Sequence, residues 1–207
     1  MKTWVYVDGF NLYFGCVKGT PYKWLNIAQL CDVLLPAHQI ERIKYFTARV
    51  HGRPANPLGP LRQQTFLRAL RTIRNFEIYF GHFLTHEVMM PLAQPMPGLP
   101  QFVRVIKTDE KGSDVNLATH LLHDGHLGHY EAAVVISGDS DLLSPVRFVM
   151  QDLKKPVGVL NPQKRTCRVL AAQATFYKHI RQGVLAASQF PVTMNDAQGT
   201  FHKPSTW

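Results

Sequence analysis

The chain of 207 residues carries only three cysteines, Cys16, Cys31 and Cys167. They are odd in number and widely spaced, which excludes a disulfide framework and a zinc knuckle and predicts a reducing cytoplasm. No apolar run approaches membrane-spanning length. Lys2 precedes only the short stretch 4–7 before Asp8 interrupts it, too little for a secretory signal. A glycine-rich phosphate loop, a Walker lysine motif, a Ser-His-Asp signal and a catalytic-cysteine setting are all missing. So is any internal repeat or domain boundary. Acidic residues are also scarce, 14 against 23 lysines and arginines, for a formal net charge of +9. That imbalance predicts an anionic partner, nucleic acid first. Charge alone does not separate a nuclease from a passive binder.

What is present is the composition of a globular protein, 45% hydrophobic and 18% charged, in a length that suits one domain plus a tail. Short β-rich apolar runs alternate with stretches of helical periodicity. Strands are expected at 4–7, 40–50 (core residues Ile43, Tyr45 and Phe46), 76–83, 102–106, 134–136 and 156–160, the last convincing one. Helices are expected from Phe10, over 27–35 until Pro36, over 61–74, from Ser113 as its cap, over 142–153, and in two pieces at 169–174 and 176–185. The loop 52–60 carries Arg53. The segment running through Pro91, Pro95, Pro97 and Pro100 reads as too proline-rich for regular structure, a loop overhanging the site. Residues 191–207 lack periodicity and read as an extended tail. Strands alternating with helices predict a mostly parallel, three-layer α/β sheet.

The chemistry gathers where strands end. Val134-Val135-Ile136-Ser137-Gly138-Asp139-Ser140-Asp141 is a buried-strand pattern that stops at a glycine and releases two aspartates. Gly138 is expected to take a left-handed turn. Trp4-Val5-Tyr6-Val7-Asp8-Gly9 repeats the arrangement, and Asp114 falls in the first turn of a helix. In open α/β sheets, ligands bind beyond the carboxyl ends of the strands. Four carboxylates there, Asp8, Asp114, Asp139 and Asp141, suit a hard divalent cation such as Mg²⁺, which needs few protein ligands and a substrate phosphate. Each also has a plainer reading as a cap or turn residue. Asp109 and Glu110 read as solvated neighbours. Asn11 either orients a carboxylate, binds phosphate or satisfies backbone groups. Arg62, Arg68, Arg71 and Arg74 are either a solvated helix face or a rail for phosphates, with Arg68 and Arg71 as substrate-binding candidates. His120, His123, His126 and His129 recur every three residues, a spacing that drifts around a helix and reads as surface. His120 alone follows Asp114 in the same helix.

Three stretches, Val5-Tyr6-Val7-Asp8-Gly9-Phe10-Asn11-Leu12-Tyr13, Lys111-Gly112-Ser113-Asp114-Val115-Asn116-Leu117-Ala118 and Ser137-Gly138-Asp139-Ser140-Asp141, resemble the motifs of the NYN domain, a LabA-like family of the PIN-like nuclease group. The resemblance spans about 1–160 and implies a Rossmann-like sheet with a Mg²⁺- or Mn²⁺-dependent ribonuclease site. It assigns Asp8, Asp114, Asp139 and Asp141 as metal-binding carboxylates and Asn11 as an accessory. Many relatives place an aspartate where this chain has His120. The resulting expectation is a cytoplasmic endoribonuclease of PIN-like fold, with the domain at 1–185 and an extension at 186–207, acting on single-stranded RNA as a monomer or homodimer. A non-catalytic RNA-binding module of the same fold is the alternative. A phosphatase of small phosphoesters would leave the basic surplus unexplained.

Overall fold

The computed structural model describes residues 1–52, 54, 56–94, 98, 100–205 and 207. Arg53, Pro95 and Pro97 lie outside them. The first strand, β1 (Lys2–Asp8), is buried over nearly its whole length. A short helix α1 (Gly9–Leu12) follows and runs into a π-helical turn at Tyr13–Val17. Then come α2 (Ile27–Leu34), β2 (Gln39–Ala48), α3 (Gly59–Leu70), β3 (Phe76–Pro91), β4 (Phe102–Lys111) and α4 (Ser113–His126). The second half holds β5 (Ala132–Ile136), α5 (Leu143–Gln151), β6 (Val157–Asn161), α6 (Arg168–Gln173), β7 (Phe176–His179), α7 (Gln182–Ala187), β8 (Thr193–Asp196) and β9 (Gly199–His202).

Seven strands form one sheet in the order β4-β3-β2-β1-β5-β6-β7. Its pairs are parallel except β3 with β4. Side chains alternate across it, as the pleat requires. Val5, Val7, Val134 and Ile136 pack with Leu12, Leu30, Leu67, Leu70 and Leu185 on one face. Trp4, Tyr6, Ala133 and Val135 pack with Leu117, Leu121, Val146, Val149 and Leu170 on the other. Helices α1, α2, α3 and α7 therefore cover one face and α4, α5 and α6 the other, the expected three layers. The chain leaves β1 towards β2 on one side and returns to β5 on the other. The topological switch point, where open sheets bind ligands, lies between β1 and β5.

Three expectations change. The stretch after residue 83 is not an irregular loop. β3 continues to Pro91 and pairs antiparallel with β4 over ten positions, from His82↔Lys111 to Pro91↔Phe102. Pairing of β3 with β2 stops at Ala48↔Gly81, so this ribbon projects beyond the sheet's carboxyl edge by about 30 Å. Pro91 closes the strand rather than interrupting it. The piece 176–179 is not helical: it is a seventh strand parallel to β6, a four-residue run whose type periodicity alone does not decide.

The third change is the tail. Residues 193–202 form the hairpin β8-β9. Phe201 and Trp207 pack against the buried ring of Trp24 at 6.4 and 6.0 Å, beside Phe190 at 5.7 Å. Period-2 alternation over four-residue strands was too brief to read. The hairpin is a working part of the core, so Phe201→Ala is expected to cost about 2 kcal/mol and to lower the melting temperature by roughly 5 °C. Tryptophan fluorescence should shift to the red as Trp24 meets water. An unshifted spectrum and an unchanged melting curve would show the hairpin to be ornamental.

Candidate active site at the carboxyl edge of the sheet

Asp8 closes β1, and Ser137 follows directly on β5. Because Val7 pairs with Ile136, the next residue on each strand emerges beside the other at the switch point. Asp8 is 4% exposed, and both of its oxygens are held. Oδ1 accepts from the backbone N–H of Asn11 at 2.8 Å, capping α1, and Oδ2 accepts from Ser137 Oγ at 3.0 Å. Ser137 Oγ in turn accepts from the Asp139 N–H at 3.1 Å, and Asp139 Oδ1 caps the following 3₁₀ turn through the Asp141 N–H at 3.0 Å. The plainer capping role is thus real for Asp8 and Asp139, and it fixes their orientation without consuming their charge.

The Asn11 side chain serves a backbone group through its oxygen. Its Oδ1 accepts from the Gly138 N–H at 2.9 Å and from Gln163 Nε2 at 3.1 Å, tying α1 to two loops of the carboxyl edge. Gly138 is needed for a different reason from the one expected. It does not take a left-handed conformation; a Cβ there would collide with the buried Asn161 side chain and lie 2.8 Å from Gln163 Cγ. The residue with positive φ is Gly112 (φ 96°), which precedes α4 in place of the expected Ser113 cap. That turn sets Asp114 in the first turn of α4, at the same edge.

Burial pushes the Asp8 carboxyl up to about 7, against the two hydrogen bonds that favour its charge, with Asp114 and Asp139 adding repulsion. Asp114 is also raised, first by partial burial and then by Asp139, Glu110 and Asp141. The structure therefore brings Asp8, Asp114 and Asp139 into one electrostatic unit, with Asp141 exposed beside Asp114. Among the described residues, no lysine or arginine forms an ion pair with any of the four.

Glu110 belongs with them, contrary to the sequence reading. Its Oε1 accepts from the Ser113 N–H at 3.2 Å, at the start of α4. Asn161 was missed as well; it ends the buried run of β6 and its Nδ2 donates to the carbonyls of Gln163 and Arg165 at 3.2 and 3.0 Å. A search for polar residues at strand exits that was not confined to carboxylates would have found it. Among the described residues, no three acidic, histidine or cysteine side chains lie close enough to hold one ion between them. The all-oxygen donor set fits instead a hard cation that keeps most of its waters and takes one or two carboxylates directly.

Two other candidates sit elsewhere. Arg68 donates Nε–H and Nη2–H to Asp196 at 2.7 and 2.6 Å, and to the Gly199 carbonyl at 3.0 Å, while its guanidinium covers Phe201 at 4.3 Å. It clamps the tail hairpin to α3, and Asp196 takes up the charge expected to face phosphate. Arg71 is the C-cap of the same helix. Since α3 returns from the end of β2 to the start of β3, that end lies at the sheet's amino edge, away from the carboxylates. His120 does not join the site either. Its ring packs tilted against Tyr79 with the centroids 4.0 Å apart, its Nδ1 lies 3.3 Å from Lys44 Nζ, and its basicity is lowered by burial and then by that lysine.

The fold and the site define a Rossmann-like α/β protein with an acidic cleft at its switch point. The NYN domain family matches residues 2–181. The chain belongs to that family, a PIN-like nuclease family. A protein of Pseudomonas putida (strain DSM 28022 / S16) named 6-hydroxy-3-succinoylpyridine 3-monooxygenase HspA is 29% identical over 237 residues, covering 100% of this chain and 75% of its own. The crystal structure of VPA0982, a protein of unknown function from Vibrio parahaemolyticus RIMD 2210633, covers 91% of this chain and 96% of its own, with a TM-score of 0.59 and 19% identity. That likeness shows the fold. None of the described helices is long and apolar enough to cross a membrane.

Proposed function

We propose that the chain is a metal-dependent endoribonuclease of the cytoplasm, hydrolysing single-stranded RNA with Mg²⁺ or Mn²⁺ bound in the cleft of Asp8, Asp114, Asp139 and Asp141, one or two of these carboxylates ligating the cation directly and the others meeting its waters. The observation that supports it is the desolvated Asp8 carboxyl, coupled to Asp114 and Asp139 and, among the described residues, without a cationic side-chain partner. When bound, the cation activates a water and neutralises charge on the scissile phosphate. The residues do the rest. Ser137 Oγ and the Asn11 N–H hold Asp8 rigidly, Asn11 and Gln163 fix the Gly138 turn that presents Asp139, and Gly112 sets the start of α4 that presents Asp114. The surplus of nine positive charges offsets the repulsion that four carboxylates exert on an RNA backbone.

The test is a titration of Mg²⁺ and Mn²⁺ against labelled single-stranded RNA, single-stranded DNA and p-nitrophenyl phosphate. Cation-dependent RNA cleavage, abolished by EDTA, is expected. The cation should also raise the melting temperature, and Asp139→Asn should weaken that rise. RNA bound but intact at every cation concentration would support the non-catalytic binding module instead. A further arm supplies 6-hydroxy-3-succinoylpyridine with a reductant; substrate-dependent oxygen uptake without RNA cleavage would overturn the nuclease reading.

A further inference from the structure

The cleft has an aromatic flank that the carboxylates do not explain. α1 starts directly after Asp8 and passes into the π turn at Tyr13–Val17. Such turns are rare and occur frequently at functional sites. This one sends Leu12 and Val17 into the core and leaves Tyr13 37% and Phe14 58% exposed. The rings form a continuous row. Tyr13 meets Phe14 edge-on at 5.2 Å, Phe14 stacks with Phe10 at 6.4 Å, and Phe10 meets Phe83 edge-on at 5.7 Å. The row reaches Phe10 two residues from Asp8. It ends at Phe83, the cross-strand partner of Glu110 at the base of the ribbon. A cation accompanies it: Lys18 Nζ lies 4.9 Å over Phe14.

We infer that Tyr13, Phe14, Phe10 and Phe83 are a base-stacking strip that seats single-stranded RNA beside the carboxylate cleft, an inference that rests on the ribonuclease reading. Sites for single strands combine aromatic platforms with positive charge along the backbone. A duplex keeps its base faces stacked inside and has nothing to offer such a strip. Exposed apolar rings alone would equally suit a second copy of the chain. Continuity with the cleft and the flanking Lys18 select RNA.

Binding is measured by fluorescence anisotropy in EDTA, where no cleavage occurs, with an RNA 12-mer and an abasic 12-mer carrying the same phosphates. Wild type should bind the base-bearing strand about tenfold more tightly. Phe14→Ala and Phe14→Leu should lose that preference, and Phe14→Trp should keep it. The abasic strand should bind all four proteins alike. Phe14 is largely exposed, so these variants keep the fold; sedimentation is recorded for each. Equal binding of both strands by wild type, or a Phe14→Leu protein as selective as wild type, would overturn the strip. So would a loss of dimer in Phe14→Ala with RNA selectivity intact, which would assign the face to a second copy. Cleavage with the cation restored is read separately. Base preference without cleavage leaves the strip and removes the nuclease, and cleavage without base preference does the reverse.

Discussion

Asp8→Asn is expected to abolish cation-dependent RNA cleavage, by orders of magnitude at saturating RNA, while making the protein more stable. Both outcomes come from one buried charge. The Asp8 carboxyl is raised to about 7 by burial, whereas in the unfolded chain it keeps its ordinary value near 3.8. The folded state therefore holds its proton longer. Its favourable contribution is complete below about pH 4 and is lost as pH rises through about 7. Above that, the ionised carboxylate costs on the order of 4 kcal/mol in divalent-free solution. Asparagine keeps the cap on α1, since its Oδ1 can accept from the Asn11 N–H as aspartate does, but carries no charge. Asp8→Asn should gain roughly 1–4 kcal/mol at pH 8 and nothing at pH 4, and its stability should be flatter between the two. Denaturant melts at the two pH values measure this. Mg²⁺ should narrow the gap by stabilising only the wild type. RNA binding should survive. Full cleavage by a nuclease-free Asp8→Asn preparation would remove Asp8 from the chemistry, and equal stability at pH 8 would show its carboxylate to be better solvated than its burial implies.

The second large effect lies beneath α4, where Lys44 sits beside Tyr6 in the sheet. Lys44 Nζ donates to Asp124 Oδ2 at 2.6 Å, and the Tyr6 hydroxyl donates to the same oxygen at 2.9 Å. Lys44 and Asp124 are both almost fully buried, beneath Trp4 and against α4. Burial and then the Asp124 charge push the Tyr6 hydroxyl far above its usual range, which marks how little water reaches the pair. Removing one partner strands the other, so Lys44→Met and Asp124→Leu should each cost about 3–5 kcal/mol. The melting temperature should fall by roughly 10 °C in each. The double variant should recover most of the loss, because an apolar pair of similar volume replaces two desolvated charges. Single variants within 1 kcal/mol of wild type would mean that the pair is hydrated.

The carboxylates were legible because a buried parallel strand ends abruptly. Val7 to Asp8 and Ile136 to Ser137-Gly138-Asp139 each step from apolar to polar within one or two residues, and the fold places such steps along one edge. Asn161 obeys the same rule and was missed only because an amide was not sought. The ribbon was not legible. Leu84, Val88, Met90 and Val105 share one face with His82, His86, Lys107 and Asp109, and Phe83, Met89 and Ile106 share the other with Thr85, Glu87 and Arg104, so neither face is cleanly apolar, and the nearby prolines outweighed a pattern that weak. Four-residue strands such as β7 carry no usable period and exist because a neighbour supplies hydrogen bonds.

Arg68 shows the deeper limit. Its place on a basic helix face was correct, yet a charge pattern does not name a partner, and Asp196 lies 128 residues further along the chain. His120 and Asn11 are the same case, since Lys44 and Gly138 become their neighbours only in the fold. The chain alone determined the alternation of strands and helices, the basic surplus and the polar residues that leave the strands, because each depends on neighbours in sequence. Only the tertiary structure decided which carboxylates meet, which arginine is a clamp and which aromatic rings stay outside. Those roles are set by long-range contacts and by the water that packing removes.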